Sequence, residues 1–185
     1  KDNTQNIIEK YKNKDNRIII LKQDNKGVSV ARNEGIKRAT SEWLLFVDGD
    51  DILEKDAVEN LTKSIDNDTD LIVSKVIEEG QKYEWQFKEN KKFTEAEKSE
   101  LIKSVFYENQ IGKYNHASNN FAKLYRNTFI EPIEKEKQSY FVEGVNMGED
   151  VLFNIPYYAN ARKIAFCNCY TYNYRWNTEG ATKKY

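Results

Sequence analysis

Three carboxylates stand together in Asp48-Gly49-Asp50-Asp51, directly after the apolar run that ends in Phe46-Val47. Three acids and a glycine forbid further burial, so a strand must stop here and leave its carboxylates at its carboxyl end. Hard oxygen ligands at a sheet edge can share a divalent cation with a diphosphate, and magnesium or manganese is the natural occupant. Such an ion neutralises a departing diphosphate. The same stretch also reads as a turn followed by a helix N-cap, and a bare Asp-x-Asp does not decide between the two. A second acidic pair, Glu149-Asp150, precedes the apolar run Val151-Leu152-Phe153. By itself such a pair reads as the capped, dipole-complementing start of a helix.

The elements that must position these groups follow from periodicity. Ile7, Ile8 and Tyr11 suit one face of a helix over 3–12, and Arg17 to Leu21 reads as a buried strand. Gln23 to Gly27 is a polar turn, after which Val28, Ala31, Ile36 and Ala39 mark an amphipathic helix to about Arg38. A short strand over 42–47 delivers the first aspartates, a helix follows over roughly 54–65, and 70–76 is another strand. Residues 83–92 read as an antiparallel strand or hairpin arm, and Thr94 to Tyr107 as a capped helix with Leu101, Ile102 and Val105 inward. His116 to Arg126 mixes polar and aromatic residues. A helix over 150–158 turns Val151, Leu152, Ile155 and Tyr158 inward, and Ile164 to Tyr174 is a closing strand. Alternating strands and helices followed by an irregular half predict an open α/β sheet with a mixed far side, undivided by any linker or repeat.

Composition narrows the function. The 185 residues suit one domain, and 39 % apolar residues with 13 % aromatics suffice for one core. Twenty-nine basic against 30 acidic residues leave a formal charge of -1, which offers no general attraction to polyanions, so nucleic acid is not expected as the partner. Cys167 and Cys169 lie one residue apart on the same side of a strand, where a bridge is geometrically poor. With a single histidine, His116, a thiolate or imidazole zinc site lacks ligands. His116 itself reads first as a solvated or hydrogen-bonded loop residue. Trp85 and Trp176 read as core before they read as a sugar-stacking platform. No apolar run approaches the roughly 20 residues needed to span a bilayer.

The order of residues becomes specific from Gln23 to Asp51. Asn25-Lys26-Gly27-Val28-Ser29-Val30-Ala31-Arg32-Asn33-Glu34-Gly35-Ile36 precedes the aspartates at a loop, helix and strand distance. This resembles family 2 glycosyltransferases, in which a glycine-containing turn leads into an Ala-Arg-Asn-x-Gly-Ile helix and then a strand ending in Asp-x-Asp-Asp. Met147-Gly148-Glu149-Asp150-Val151-Leu152-Phe153 resembles the family's Glu-Asp-x-x-Phe element. Ala122-Lys123-Leu124-Tyr125-Arg126, Tyr172-Asn173-Tyr174-Arg175 and Gly180-Ala181-Thr182 resemble its later segments.

The resemblance implies an α/β GT-A fold, a Rossmann-like open mixed sheet flanked by helices. It implies inverting, single-displacement transfer of a sugar from a nucleoside diphosphate, a UDP-sugar first, to a hydroxyl of a glycan, lipid-linked or polymer acceptor. Asp150 is the implied base and Glu149 an orienting neighbour; a positioned base contributes about 10²- to 10⁴-fold. Asp48 and Asp50 are the implied ligands of Mn²⁺ or Mg²⁺, Asp50 directly and Asp48 nearer the ribose. Arg32 and Asn33 fall on the donor side, where Arg32's planar fork suits base or phosphate oxygens. Lys123 and Arg175 are candidates to balance diphosphate charge, beside surface or packing roles. The implied setting is bacterial surface-polysaccharide synthesis, cytoplasmic or peripheral at the inner face of the membrane, and the wealth of lysine, asparagine and isoleucine fits an AT-rich genome.

Within this resemblance the chain reads as one partial catalytic domain, nucleotide-binding over about 1–76 and acceptor-side over about 77–185. The family's opening strand, with its base-holding aspartate, has no counterpart, and Lys1-Asp2-Asn3-Thr4 resembles only the end of the motif that follows it. The expectation is therefore either a longer protein or a truncated form of reduced or no activity. Two alternatives stay open: a non-catalytic nucleotide- or sugar-binding remnant, and a phosphohydrolase of the haloacid dehalogenase type. The latter expects threonine or valine two residues past its second aspartate, after a glycine, which Asp51-Ile52 does not match well.

Overall fold

In the computed structural model, which describes residues 3–111, 116–137, 139–145 and 147–176, a long apolar run becomes the middle of a seven-stranded sheet. The elements in chain order are α1 (Thr4–Lys12), α2 (Val28–Arg38), β1 (Trp43–Leu45), β2 (Ile52–Leu53), α3 (Ala57–Thr62), β3 (Leu71–Glu78), β4 (Gln81–Lys82), β5 (Lys91–Lys92), α4 (Glu95–Ile111), β6 (Lys123–Arg126), α5 (Glu149–Asn160) and β7 (Ile164–Tyr174). The sheet order is β1-β6-β3-β7-β2, with β4 on β3 and β5 on β7. β3 and β7 run parallel and the other pairings are antiparallel. Residues 71–76 are all buried, as a strand covered on both faces must be.

The core is aromatic. Phe46 meets Tyr125, Phe141 and Phe153 edge-on at 5.5–5.7 Å, Phe141 stacks on Phe153, and Trp85 stacks on Phe166 at 5.1 Å. Phe46 lies two residues before Asp48, so this packing anchors the strand end that carries the acidic turn. At the start of β3, fully buried Asp70 accepts bonds from the Arg162 guanidinium at 2.9 and 3.1 Å, tying β3 to the approach to β7.

The expected helices at 28–38 and 94–107 and the strand at 164–174 are present. Thr94 and Glu97 cap α4 reciprocally, the Thr94 N–H donating to Glu97 at 2.9 Å and the Glu97 N–H to the Thr94 hydroxyl at 3.3 Å. Several expectations need correction. Arg17 lies in a turn and residues 18–21 form no strand, and Ile19 is 67 % exposed, because no described strand lies beside it to complete a ladder. The apolar face of α1 is exposed as well. In α2, Val28 and Ala31 face outward and Ser29, Asn33 and Ile36 are buried. In α5, Leu152 is exposed while Phe153, Asn154, Tyr157 and Tyr158 are buried. Residues 83–92 form only the two-residue end of β5, although Trp85 is buried as expected, and Trp176 is 59 % exposed rather than core.

Phe166 lies fully buried on β7 between Trp85 and Phe87, and no small side chain can fill that space. Phe166→Ala is expected to destabilise the fold by about 3–5 kcal/mol, read as a lower midpoint in urea unfolding.

Candidate active site

Three chain segments converge on one guanidinium. Gly27, at φ +89°, turns the chain into α2, and one turn later Arg32 and Asn33 point from its polar inner side. β1 ends just before the acidic turn. Gly148, in the left-handed region at φ +88°, starts α5 so that Glu149 and Asp150 occupy its first turn. The Arg32 side chain, only 11 % exposed, donates to Asp150 Oδ1 at 2.7 Å and Glu149 Oε1 at 3.2 Å through one nitrogen. Through the other it donates to Asp48 Oδ1 at 2.9 Å. The guanidinium also lies over the Phe141 ring, 5.3 Å from its centroid.

The structure thereby joins the acidic turn to the Glu149-Asp150 pair, 100 residues apart in sequence, through a residue expected on the donor side. Arg32 is neither an exposed helix arginine nor paired with Glu34 or Asp50 in any of these bonds. Its charge is held above its ordinary basicity by the acids, of which Asp150 counts most, against the opposing effect of burial.

Asp150 behaves differently from an exposed carboxyl. Its Oδ2 accepts the Asn120 N–H at 3.3 Å, and Arg32 favours its charged form. Burial outweighs both and, with Glu149 and Asp48 nearby, pushes its pKa up to about 6. A carboxyl raised from 3.8 stabilises the fold below that pH, and this contribution is lost as pH rises through about 6. A value near 6 suits a group that must take and release a proton near neutrality.

Other expected site residues have structural partners. Buried Asn33 donates to the Ser139 hydroxyl and the Phe141 carbonyl, both at 2.9 Å, and accepts the N–H groups of Tyr140 and Phe141 at 3.0 and 2.7 Å. It clamps the 139–141 segment to α2, which sets Phe141 under Arg32. Lys123 is 2 % exposed, and its ammonium donates to the carbonyls of Asn119, His116 and Phe121 at 2.5, 2.8 and 3.3 Å. These bonds tie the loop before β6 together. Arg175 meets the acidic turn through its backbone, whose N–H donates to Asp51 Oδ1 at 2.8 Å, while its side chain is exposed. His116 is enclosed by the rings of Tyr83 and Phe121 and bonded to Asn119, and burial, then Lys123, lowers its pKa to about 4. The Gly180-Ala181-Thr182 segment lies outside the described residues.

Tyr172 and Asn120 are contacts the sequence reading missed. Tyr172 lies in the Tyr-x-Tyr-Arg segment that had drawn attention only to Arg175; its hydroxyl touches both Asp48 and Asp51. Asn120, three residues before Lys123, carries no motif signal.

The donor set also bears on a cation. Asp48 and exposed Asp50 offer the hard oxygens that magnesium and manganese prefer, and the acids around Arg32 outnumber its one positive charge. Among the described residues no three acidic, histidine or cysteine side chains enclose a point by themselves. A cation held here would take its other ligands from a diphosphate and water, a common arrangement for magnesium. No described helix is long and apolar enough to cross a membrane.

Known proteins resemble this chain along its length. The model of the family described as glycosyl transferase family 2 matches residues 1–133. Over 194 aligned residues the chain is 28 % identical to EpsH of Bacillus subtilis, a protein named as a glycosyltransferase, covering all of this chain and 52 % of EpsH. It is 31 % identical to the poly(ribitol-phosphate) beta-N-acetylglucosaminyltransferase TarS of Staphylococcus aureus, over 97 % of this chain and 29 % of TarS. The crystal structure of S. aureus TarS in complex with UDP-GlcNAc superposes with a TM-score of 0.74 at 26 % identity, covering all of this chain and 49 % of that one. The chain thus spans about half or less of the relatives it matches, and its α/β fold is GT-A.

Two measurements check the site. Arg32→Ala removes the cation that holds Asp150 charged, so the Asp150 titration in carboxyl-labelled NMR is expected to move further above about 6. Asn33→Ala leaves several buried backbone groups without partners and is expected to cost about 2–4 kcal/mol in urea unfolding.

Proposed function

Because the chain belongs to glycosyl transferase family 2, we propose that it carries the site of an inverting enzyme that moves a sugar from a nucleoside diphosphate to an acceptor hydroxyl. The reading rests on one observation: Arg32 binds Asp48 of the acidic turn and Asp150 of α5 at once. A site built this way brings a diphosphate-handling turn and a base to within one side chain of each other. TarS, a structural neighbour crystallised with UDP-GlcNAc, makes a UDP-sugar the first donor to test. The name of TarS, a poly(ribitol-phosphate) beta-N-acetylglucosaminyltransferase, favours a polyol-phosphate polymer as acceptor.

In this mechanism the acceptor hydroxyl lies against Asp150, which accepts its proton as the oxygen attacks the anomeric carbon. The bond to the diphosphate oxygen breaks on the opposite face, so the configuration inverts. Asp48 and Asp50 would hold a divalent cation, which when bound supplies positive charge to the leaving diphosphate. Arg32 favours the ionised form of Asp150 and orients it. Glu149, on the same guanidinium nitrogen as Asp150, fixes where that guanidinium sits.

Calorimetric titration of UDP with and without manganese tests the donor side. Manganese-dependent binding that disappears in Asp50→Ala is expected, and absence of any nucleotide binding by the wild-type protein would overturn the reading in favour of a non-catalytic remnant. On the acceptor side, Asp150→Asn is expected to lose at least about 10²-fold in turnover with donor binding retained. The acidic limb of kcat/KM is expected near pH 6, since the base must be unprotonated.

A further inference from the structure

The acidic turn holds a carboxylate that the reaction above does not use. Asp51 accepts the Tyr172 hydroxyl at 2.7 Å on one oxygen and the Arg175 N–H at 2.8 Å on the other. The Tyr172 oxygen in turn accepts the Asp48 N–H at 3.0 Å, and the Asp51 N–H closes the turn on the Asp48 carbonyl at 3.2 Å. One buried hydroxyl therefore bonds to both ends of the four-residue turn. Three neighbouring carboxylates repel one another, and a turn made of them needs such an external tie to keep one shape.

The tie extends toward the base. The Tyr172 ring, fully buried, stacks on Phe121 with centroids 4.5 Å apart and planes 5° from parallel. Phe121 follows Asn120, whose N–H donates to Asp150, and Lys123 fastens the carbonyls on either side of that residue. A single ring pair thus bridges the acidic turn and the loop that touches Asp150.

We propose that Tyr172 is a positioning residue that sets the placement of Asp48 and Asp50 relative to Asp150, through its hydroxyl on one side and its stack on Phe121 on the other. The proposal rests on the glycosyl-transfer reading for its effect on catalysis, but the tie itself is a property of the donor-free protein.

Tyr172→Phe keeps the ring and removes the hydroxyl. Amide hydrogen exchange of the donor-free protein is expected to quicken about tenfold or more at Asp48 to Asp51 while β3 amides keep their protection. Manganese-dependent UDP affinity and kcat are each expected to fall about tenfold, as a small misplacement of reacting groups does. A purely structural role would instead raise exchange across the sheet. Asp51→Asn, whose single acceptor oxygen can keep the Tyr172 bond or the Arg175 bond but not both, is expected to fall between wild type and Asp51→Leu, and Asp51→Leu to behave like Tyr172→Phe. This pair decides the matter if Tyr172→Phe does not fold. Unchanged exchange at 48–51 in a folded Tyr172→Phe or Asp51→Leu protein overturns the proposal. If wild type binds no nucleotide, the glycosyl-transfer reading fails and the exchange comparison still decides whether the tie exists.

Discussion

Arg32 is the constraint on which the site depends. Asp48, Glu149 and Asp150 come from distant parts of the chain, and without a cation among them they would repel. At an effective dielectric constant of 20, two unit charges 4 Å apart interact by about 4 kcal/mol, so the repulsion is not small. The guanidinium suits the task because it stays charged when buried and its planar fork offers separate nitrogens in two directions. One nitrogen serves α5 and the other the acidic turn. Its position is in turn fixed by Phe141 beneath it and by Asn33, the next residue, which holds the Phe141 backbone.

Around this ion cluster the protein uses two kinds of packing. The sheet is held by apolar and aromatic burial, with Phe46, Tyr125, Phe141 and Phe153 interlocked at short centroid distances. The loops next to the site are held by polar groups sunk into the core. Lys123 gathers three carbonyls, and Asn154 donates to the carbonyls of Ser118 and Asn119 while accepting the Tyr125 hydroxyl. Buried polar groups are costly unless bonded, and once fully bonded they admit few other arrangements. Irregular loops are thereby given definite shapes beside Asp150.

The regular elements were legible where one strong pattern acted alone. The capping pair Thr94 and Glu97 and the apolar spacing behind them marked α4, and the continuous apolar run marked β7. Periodicity misled where partners decide. Arg17 to Leu21 has a strand's composition and no described strand beside it. Ala31 in α2 and Leu152 in α5 are apolar but exposed, because polar Asn33 and Asn154 take the inner positions to bind neighbouring backbone. The short strands β2 and β6 exist through their ladders with β7, β1 and β3 and carry little signal of their own.

By itself the sequence determined the chemical inventory and its order: an acidic turn after a strand, an arginine on the preceding helix, a Glu-Asp pair at a later helix start, and with these the family. Those follow from local rules, since a turn of acids ends a strand and a glycine at positive φ starts a helix. Only the tertiary structure decided that Arg32 joins the two acidic groups, that Asn33 and Lys123 serve the backbone, and that Tyr172 holds the turn. These outcomes depend on which distant groups share one low-dielectric space, and burial there is what raises Asp150 to about 6.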